Sequence, residues 1–179
     1  MGRRLSATSV CASFAAAVAF ATPARAQIPG THFNIAAGAA FPTGDFDLGT
    51  DVGYNVSAGI TMTQRASPLA FRAEGMYNEF NVSGFTDKAR AAAITGNAIY
   101  DFSSGSIAPL STLYLIGGVG YYNTRDPFLT SESQSNLGWN VGGGFRFGLT
   151  GFSAYLEARF HTISNTDVRF IPVTFGLLF

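Results

Sequence analysis

The sequence is short of charge, cysteine and long apolar runs. Asp, Glu, Lys and Arg make up 12% of its 179 residues, well below the ~25% typical of soluble domains. Lys88 is the only lysine and Cys11 the only cysteine, so a disulfide within the chain is excluded. Beyond residue 26, no stretch offers the ~18 consecutive apolar residues of a transmembrane helix. The composition therefore argues against both a soluble surface and a helical membrane anchor.

The first 26 residues have the pattern of a secretory signal peptide. Arg3 and Arg4 precede an apolar run without charge, and residues 24–26 read Ala-Arg-Ala, the A-x-A form of a cleavage site. Three of the eleven Lys and Arg residues lie in this segment and none of the eleven Asp and Glu, so the remaining chain has a formal net charge of −3. We predict Sec-type export, cleavage after residue 26, one domain over residues 27–179 and no nucleic-acid partner.

Apolar and polar residues then alternate in eight segments, separated by Gly, Ser, Asp, Asn and Pro. In residues 136–148, Leu, Trp, Val and Phe dominate the odd positions, while the even positions hold Gly, Asn and one Arg. A period of two is that of a β-strand with two different faces. No helix follows the glycine-rich runs 116–120 and 141–145, so we interpret them as space for large neighbours and not as phosphate loops. The pattern predicts an all-β, eight-stranded antiparallel up-and-down barrel.

The connections between these segments also alternate in kind. We predict short links at 64–68, 103–109 and 148–152, and longer loops at 43–50, 82–89, 123–135 and 163–168. Short turns on the periplasmic side and longer outer loops are typical of bacterial outer-membrane barrels.

Alternation alone does not show which face of the barrel is apolar. A soluble, lipocalin-like barrel turns its apolar face inward around a ligand, whereas a transmembrane barrel turns it toward lipid. The polar face here is mostly Gly, Ala, Ser, Thr and Asn, which suits a narrow lumen better than a soluble exterior rich in Lys and Glu. Aromatic residues fall into two groups at the strand ends, as interfacial girdles do: Phe41, Tyr54, Tyr77, Tyr121, Trp139 and Phe160 on the loop side, and Phe33, Tyr100, Phe102, Phe147 and Phe179 on the other. The sequence favours the lipid-facing orientation.

Charged residues of both signs occupy the predicted lumen face. They are Arg72, Glu74, Arg146, Glu157 and Arg159. Opposite charges that pair inside a barrel offset the desolvation that each suffers alone. We predict that they fill the lumen as a paired network, joined by Asp101 near the periplasmic mouth. The alternative is that they line a narrow polar pore.

The chain ends in an apolar stripe at every second position. Its members are Ile171, Val173, Phe175, Leu177 and Phe179. This stripe resembles the C-terminal signal of outer-membrane barrel proteins, and AAGAAFPTGDF at 36–46 is typical of the small OmpA/OmpX-type family, which the whole mature chain resembles. The resemblance implies an integral outer-membrane location, contact with lipid including lipopolysaccharide, assembly by the barrel-assembly machinery through the last strand, and a monomer.

Two motifs suggest chemistry. The segment RFHTISN at 159–165 resembles the H-x-S-N region of PagL-type lipid A deacylases, which are eight-stranded barrels with a Ser-His-acid arrangement. However, alternation places His161 and Ser164 on opposite faces of an ideal strand, and Asp167 is the only acidic residue in 166–179.

The second motif is an acidic loop with Asp45, Asp47 and Asp51, which lacks the EF-hand spacing. We therefore predict no metal, no cofactor and no catalytic site, and a structural or surface-interaction role exerted through the outer loops. The alternatives are a deacylase, a narrow pore and a soluble ligand binder.

Overall fold

A computed structural model describes residues 30–44, 46, 50–64, 67–82, 88–102, 111–125 and 133–179. The predicted signal peptide lies outside these residues, as do Asp45 and Asp47 of the acidic loop. Within the described ranges, no helix is long and apolar enough to cross a membrane.

The chain forms eight strands. They are β1 (Thr31–Thr43), β2 (Gly53–Thr63), β3 (Leu69–Asn81), β4 (Lys88–Phe102), β5 (Ser111–Arg125), β6 (Gln134–Leu149), β7 (Phe152–Ile163) and β8 (Arg169–Leu178). Each strand pairs antiparallel with its neighbours in the sequence, and β8 pairs with β1 to close the barrel. The predicted fold is confirmed, and each predicted segment overlaps one of these strands.

The connections between strands fall into two groups, one at each end of the barrel. The loop end carries the connections 44–52, 82–87, 126–133 and 164–168, and the terminus end carries both chain ends and the connections 64–68, 103–110 and 150–151. The predicted links 64–68, 103–109 and 148–152 correspond to the connections at the terminus end, and 103–110 is longer than two of the loop-end connections. Alternation predicts where the strands lie, but it does not predict the exact lengths of the connections between them.

The apolar faces of the strands point outward. Exposed fractions reach 73% for Ile94 and 68% for both Val119 and Leu137, values that suit contact with lipid and not with water. Girdle residues pack in neighbouring pairs at both ends: Tyr54–Tyr77 and Trp139–Phe160 at the loop end, Tyr100–Phe102 and Phe152–Phe179 at the terminus end. A soluble barrel with an apolar interior pocket requires the opposite orientation, so that alternative does not fit.

The interior is divided into three layers along the barrel axis. The loop-end apolar layer contains Ala40, Met76, Phe80, Val82, Ala89, Ala91, Ala93, Tyr122, Ile163, Val168 and Phe170. The terminus-end apolar layer contains Ala70, Ile99, Tyr114, Ile116 and Tyr155. Between them lies a charged layer of Arg72, Glu74, Glu157 and Arg159, all buried.

The inward face carries the small residues expected from the sequence, among them buried Ala, Ser, Thr and Asn, and it also carries aromatic rings. Large rings such as Tyr114, Phe80 and Phe170 are fully buried there. Since a barrel of eight strands has room only for side chains inside, these rings occupy much of its interior.

Candidate functional site

The charged layer is built from two strands on opposite sides of the barrel. Arg72 and Glu74 lie on β3, and Glu157 and Arg159 lie on β7. In each pair the residues are two positions apart, so both side chains point to the same face of their strand. Each arginine therefore reaches across the lumen to a carboxylate 85 residues away in the sequence.

The four side chains form a closed set of ion pairs. Arg72 Nη1 donates to Glu157 Oε2 at 3.0 Å and lies 3.7 Å from Glu74 Oε2. Arg159 Nη2 donates to Glu74 Oε1, and Arg159 Nε lies 2.9 Å from Glu157 Oε1. No side chain in this set is more than 3% exposed. Two cations and two anions balance, as buried charges must when solvent does not screen them.

Neutral polar groups complete the charged layer. Tyr114 Oη donates to Glu157 Oε2 at 2.7 Å. Asn34 Nδ2 donates to Glu74 Oε2 at 3.4 Å, and Arg72 Nε donates to Thr61 Oγ1 at 3.3 Å. The layer thus draws on β1, β2 and β5 as well as β3 and β7, and it connects much of the barrel circumference.

Arg146, the fifth residue of the predicted network, lies closer to the terminus end. Its Nη1 donates to Asp101 Oδ2 at 2.9 Å, and its guanidinium lies 5.1 Å from the ring centre of Tyr114. The register of β6 and β7 explains this position, because Gly144 and not Arg146 lies opposite Glu157. Tyr114 is the link between the Arg146–Asp101 pair and the charged layer.

Two glycines make room for the tyrosines beside this layer. A Cβ atom on Gly144 would lie 2.6 Å from Tyr114 Oη, and one on Gly176 would lie 2.2 Å from Tyr155 Cζ. Such distances are too short for any non-bonded contact, so only glycine fits without a shift of the rings. Gly144 belongs to the run 141–145, and it does provide space for a large neighbour.

His161 and Ser164 occupy different environments. His161 is fully buried, with its ring stacked on Phe170 at 5.0 Å and its Nδ1 2.9 Å from Tyr122 Oη. Ser164 is exposed in the turn after β7, where its backbone nitrogen donates to the Leu137 oxygen at 2.8 Å. In the part of the chain that the structure describes, no hydrogen bond joins His161 to Ser164.

The buried tyrosines were missed by sequence reasoning, although their positions carried a signal. Tyr114 and Tyr122 occupy the positions of β5 whose side chains point into the lumen. Leu115 and Tyr121 occupy alternate positions of the same strand, whose side chains face lipid. A large polar-tipped ring on the lumen parity indicates a side chain that fills the interior and donates a hydrogen bond there. Among the described residues, no group of three or more His, Cys, Asp or Glu side chains is placed to hold a metal ion.

Comparison with known proteins agrees with this architecture. The family model of the outer membrane protein beta-barrel domain matches residues 12–179. The chain belongs to this family. It is therefore an integral outer-membrane protein, and the resemblance to small barrels of that membrane is confirmed. No curated protein sequence matches the chain.

Several solved structures have a similar fold. Neisserial surface protein A (NspA) has 18% sequence identity and a TM-score of 0.66, over 83% of this chain and 96% of that one. Ail, the attachment invasion locus protein of Yersinia pestis, has 16% identity and a TM-score of 0.53, over 83% and 95%. The N-terminal β-barrel domain of Pseudomonas aeruginosa OprF has 15% identity and a TM-score of 0.52, over 84% and 98%. At these identities the likeness concerns the fold alone.

Proposed function

We propose that this protein is a monomeric outer-membrane barrel with a closed lumen, whose structural or surface-interaction role is exerted through the connections at its loop end. It has no catalytic site and no cofactor in this proposal. The observation that carries it is the order of the interior layers, in which paired charges are enclosed between two apolar layers. A barrel with a filled interior interacts with partners through its loops and not through its lumen.

The three layers oppose passage of ions in different ways. A solute would have to separate the balanced Arg and Glu pairs, which leaves buried charges without partners. It would also have to wet the rings of Phe80 and Phe170, which lie 5.6 Å apart at the loop end, and apolar constrictions block ions by excluding water. These barriers favour a closed lumen over a narrow pore.

Biogenesis in this proposal follows the resemblance to small outer-membrane barrels. Residues 1–26 direct Sec-type export and are removed. The stripe formed by Ile171, Val173, Phe175, Leu177 and Phe179 lies on the lipid-facing parity of β8 and its end, where the barrel-assembly machinery reads it. Because β8 pairs with β1, docking of this strand is also the step that closes the barrel. Two structural relatives are named as a surface protein and an attachment invasion locus protein, which agrees with a role at the cell surface.

The orientation of the barrel is tested with single cysteines. Ser164→Cys places a thiol at the loop end and Thr150→Cys places one in the turn at the terminus end, and both positions are exposed. A membrane-impermeant maleimide added to intact cells is expected to label Ser164→Cys and to leave Thr150→Cys unlabelled until the cells are lysed. The reverse labelling would contradict a role for the loop end at the cell surface.

The closed lumen and the absence of catalysis are tested separately. Refolded protein in planar lipid bilayers is expected to give no steady conductance, and reproducible single-channel steps would contradict closure. Lipid A from cells expressing the protein is expected to keep its mass. Loss of one acyl chain that His161→Ala and Ser164→Ala both abolish would establish a deacylase.

A further inference from the structure

The outer wall carries a row of polar residues at the loop end. Tyr54 on β2 lies opposite Glu79 on β3, Glu79 lies opposite Arg90 on β4, and Arg90 lies opposite Arg125 on β5. Side chains alternate in direction along each strand, and these four point to the same side as the lipid-facing Ile94. They are therefore on the outside of the barrel. They form the outer row. We place it where a bilayer changes from hydrocarbon to headgroups, because Tyr54 packs against Tyr77 of the loop-end aromatic girdle.

Cations exceed anions in this row. Glu79 is the single carboxylate: its oxygens accept hydrogen bonds from Lys88 Nζ at 2.5 Å and Tyr77 Oη at 3.0 Å, and Arg90 Nε lies 3.4 Å from its Oε2 as an ion pair. The contact with Arg90 uses Nε, and within the described residues neither terminal nitrogen of that side chain has a partner. Arg125 likewise has no ion pair among the described residues and is exposed.

Like charges directly opposite each other on neighbouring strands destabilise a sheet. Arg90 and Arg125 are such a pair. An anion between the two side chains would turn this repulsion into attraction, and a guanidinium binds phosphate oxygens with two parallel hydrogen bonds. The row therefore has the chemistry of a phosphate site.

An apolar groove of about 700 Å³ lies on the wall directly below the outer row. Small residues line its floor: Ala58, Gly75 and Ala92. Val56, Tyr77, Ile94 and Tyr121 rise around them. In the register, the groove residues Tyr77 and Ala92 are two positions from Glu79 and Arg90 on the same face of their strands. The wall thus combines a cationic top with an apolar channel beneath it.

We propose that the outer row and this groove bind lipid A of lipopolysaccharide, with a phosphate held by Arg90, Arg125 and Lys88 and an acyl chain in the groove. Lipid A joins phosphates on a sugar headgroup to acyl chains below it, which matches the vertical order of cations and apolar groove. The proposal rests on the orientation proposed above, because lipopolysaccharide lies in the outer leaflet.

The test measures lipid A binding to barrels refolded in phosphatidylcholine vesicles and extracted for native mass spectrometry. Removing two cations near a membrane surface with Arg90→Gln/Arg125→Gln is expected to weaken binding of diphosphorylated lipid A roughly 30-fold. Arg169→Gln, which removes an exposed arginine at the loop end of β8, is the matched control and is expected to bind as the wild type does. Dephosphorylated lipid A is expected to bind the wild type as weakly as the double variant binds the phosphorylated form.

The groove is tested by filling it. A Cβ atom on Gly75 would meet only Ala58 O, at 3.9 Å, so Gly75→Leu fits and places a side chain in the groove. Gly96→Leu is the control, because it is also exposed and has nothing within 4 Å. Gly75→Leu is expected to weaken lipid A binding and Gly96→Leu to leave it unchanged. Gel mobility with and without heating shows that each variant is folded.

Two results would overturn the site. One is wild-type affinity in the arginine double variant. The other is a dimer that Gly75→Leu disrupts and lipid A does not, which would assign the groove to a second copy of the chain. Failure of the cysteine labelling would instead contradict the proposed orientation while leaving binding in vesicles intact, so the two failures are distinguishable.

Discussion

The charged layer inside the barrel and the outer row on its wall use the same residue types in opposite ways. Inside, Arg72 and Arg159 balance two glutamates, and no side chain is more than 3% exposed. Outside, Glu79 is shared among cations whose side chains are about half exposed, 45% for Lys88 and 50% for Arg90. An excess charge is costly where nothing screens it and is tolerated where water and headgroups do. The balanced set therefore stabilises the fold, and the unbalanced set is free to bind a partner.

Removing one inner cation is expected to have the largest effect. Arg72→Met leaves Glu74 and Glu157 with one arginine between them, and breaking a buried pair costs about 3–5 kcal/mol. Guanidinium unfolding of the barrel in lipid vesicles, followed by fluorescence of Trp139, the only tryptophan, measures the change. Arg169→Met removes an exposed arginine and is the control. Equal unfolding midpoints for the two variants would contradict the distinction between the two faces.

Removing the hydroxyl of Tyr114 is expected to cost less. Tyr114→Phe keeps the ring and deletes the 2.7 Å hydrogen bond to Glu157, and hydrogen bonds to charged groups contribute about 1.5–3 kcal/mol. Tyr100→Phe deletes the hydroxyl of an exposed ring on the outside and is expected to change the unfolding free energy little. Equal losses of unfolding free energy in Tyr114→Phe and Tyr100→Phe would contradict the distinction between the lumen face and the outer face.

Adding a methyl group compares the lumen face and the outer face by the space available on each, instead of by charge. In Gly144→Ala the new Cβ would lie 2.6 Å from Tyr114 Oη, whereas in Gly96→Ala it would have nothing within 4 Å. Overpacking of an interior costs about 1–3 kcal/mol, so we expect a lower unfolding midpoint for Gly144→Ala alone. An unchanged midpoint would mean that the lumen is less tightly filled than the contacts around Tyr114 indicate.

Removing the outer carboxylate is expected to have the smallest effect on stability. Glu79→Gln removes a carboxylate whose cation partners are about half exposed, and surface pairs with exposed partners contribute about 0–1 kcal/mol. The difference from the wild type is expected to shrink as salt concentration rises, because salt screens exposed charges. A loss as large as that of Arg72→Met, insensitive to salt, would place Glu79 among the structural charges.

The candidate sites could be predicted only in part. Alternation put Arg72, Glu74, Glu157 and Arg159 on the lumen parity, and the structure places all four there. Alternation also predicted that Arg146 points into the lumen. Its partner there is Asp101, because the register of β6 against β7 places Gly144, and not Arg146, opposite Glu157. The outer row was not anticipated at all, since Glu79, Arg90 and Arg125 belong to three different strands and meet only through their register.

The sequence by itself determined which residues form strands and which face of each strand meets lipid. These follow from a period of two and from composition, which are properties of each short segment. Only the tertiary structure decided which charges meet. Closure through β8 and β1 brings β3 and β7 across one lumen, and the shear between strands sets the height of each side chain. Both depend on pairing between distant segments, which no local pattern contains.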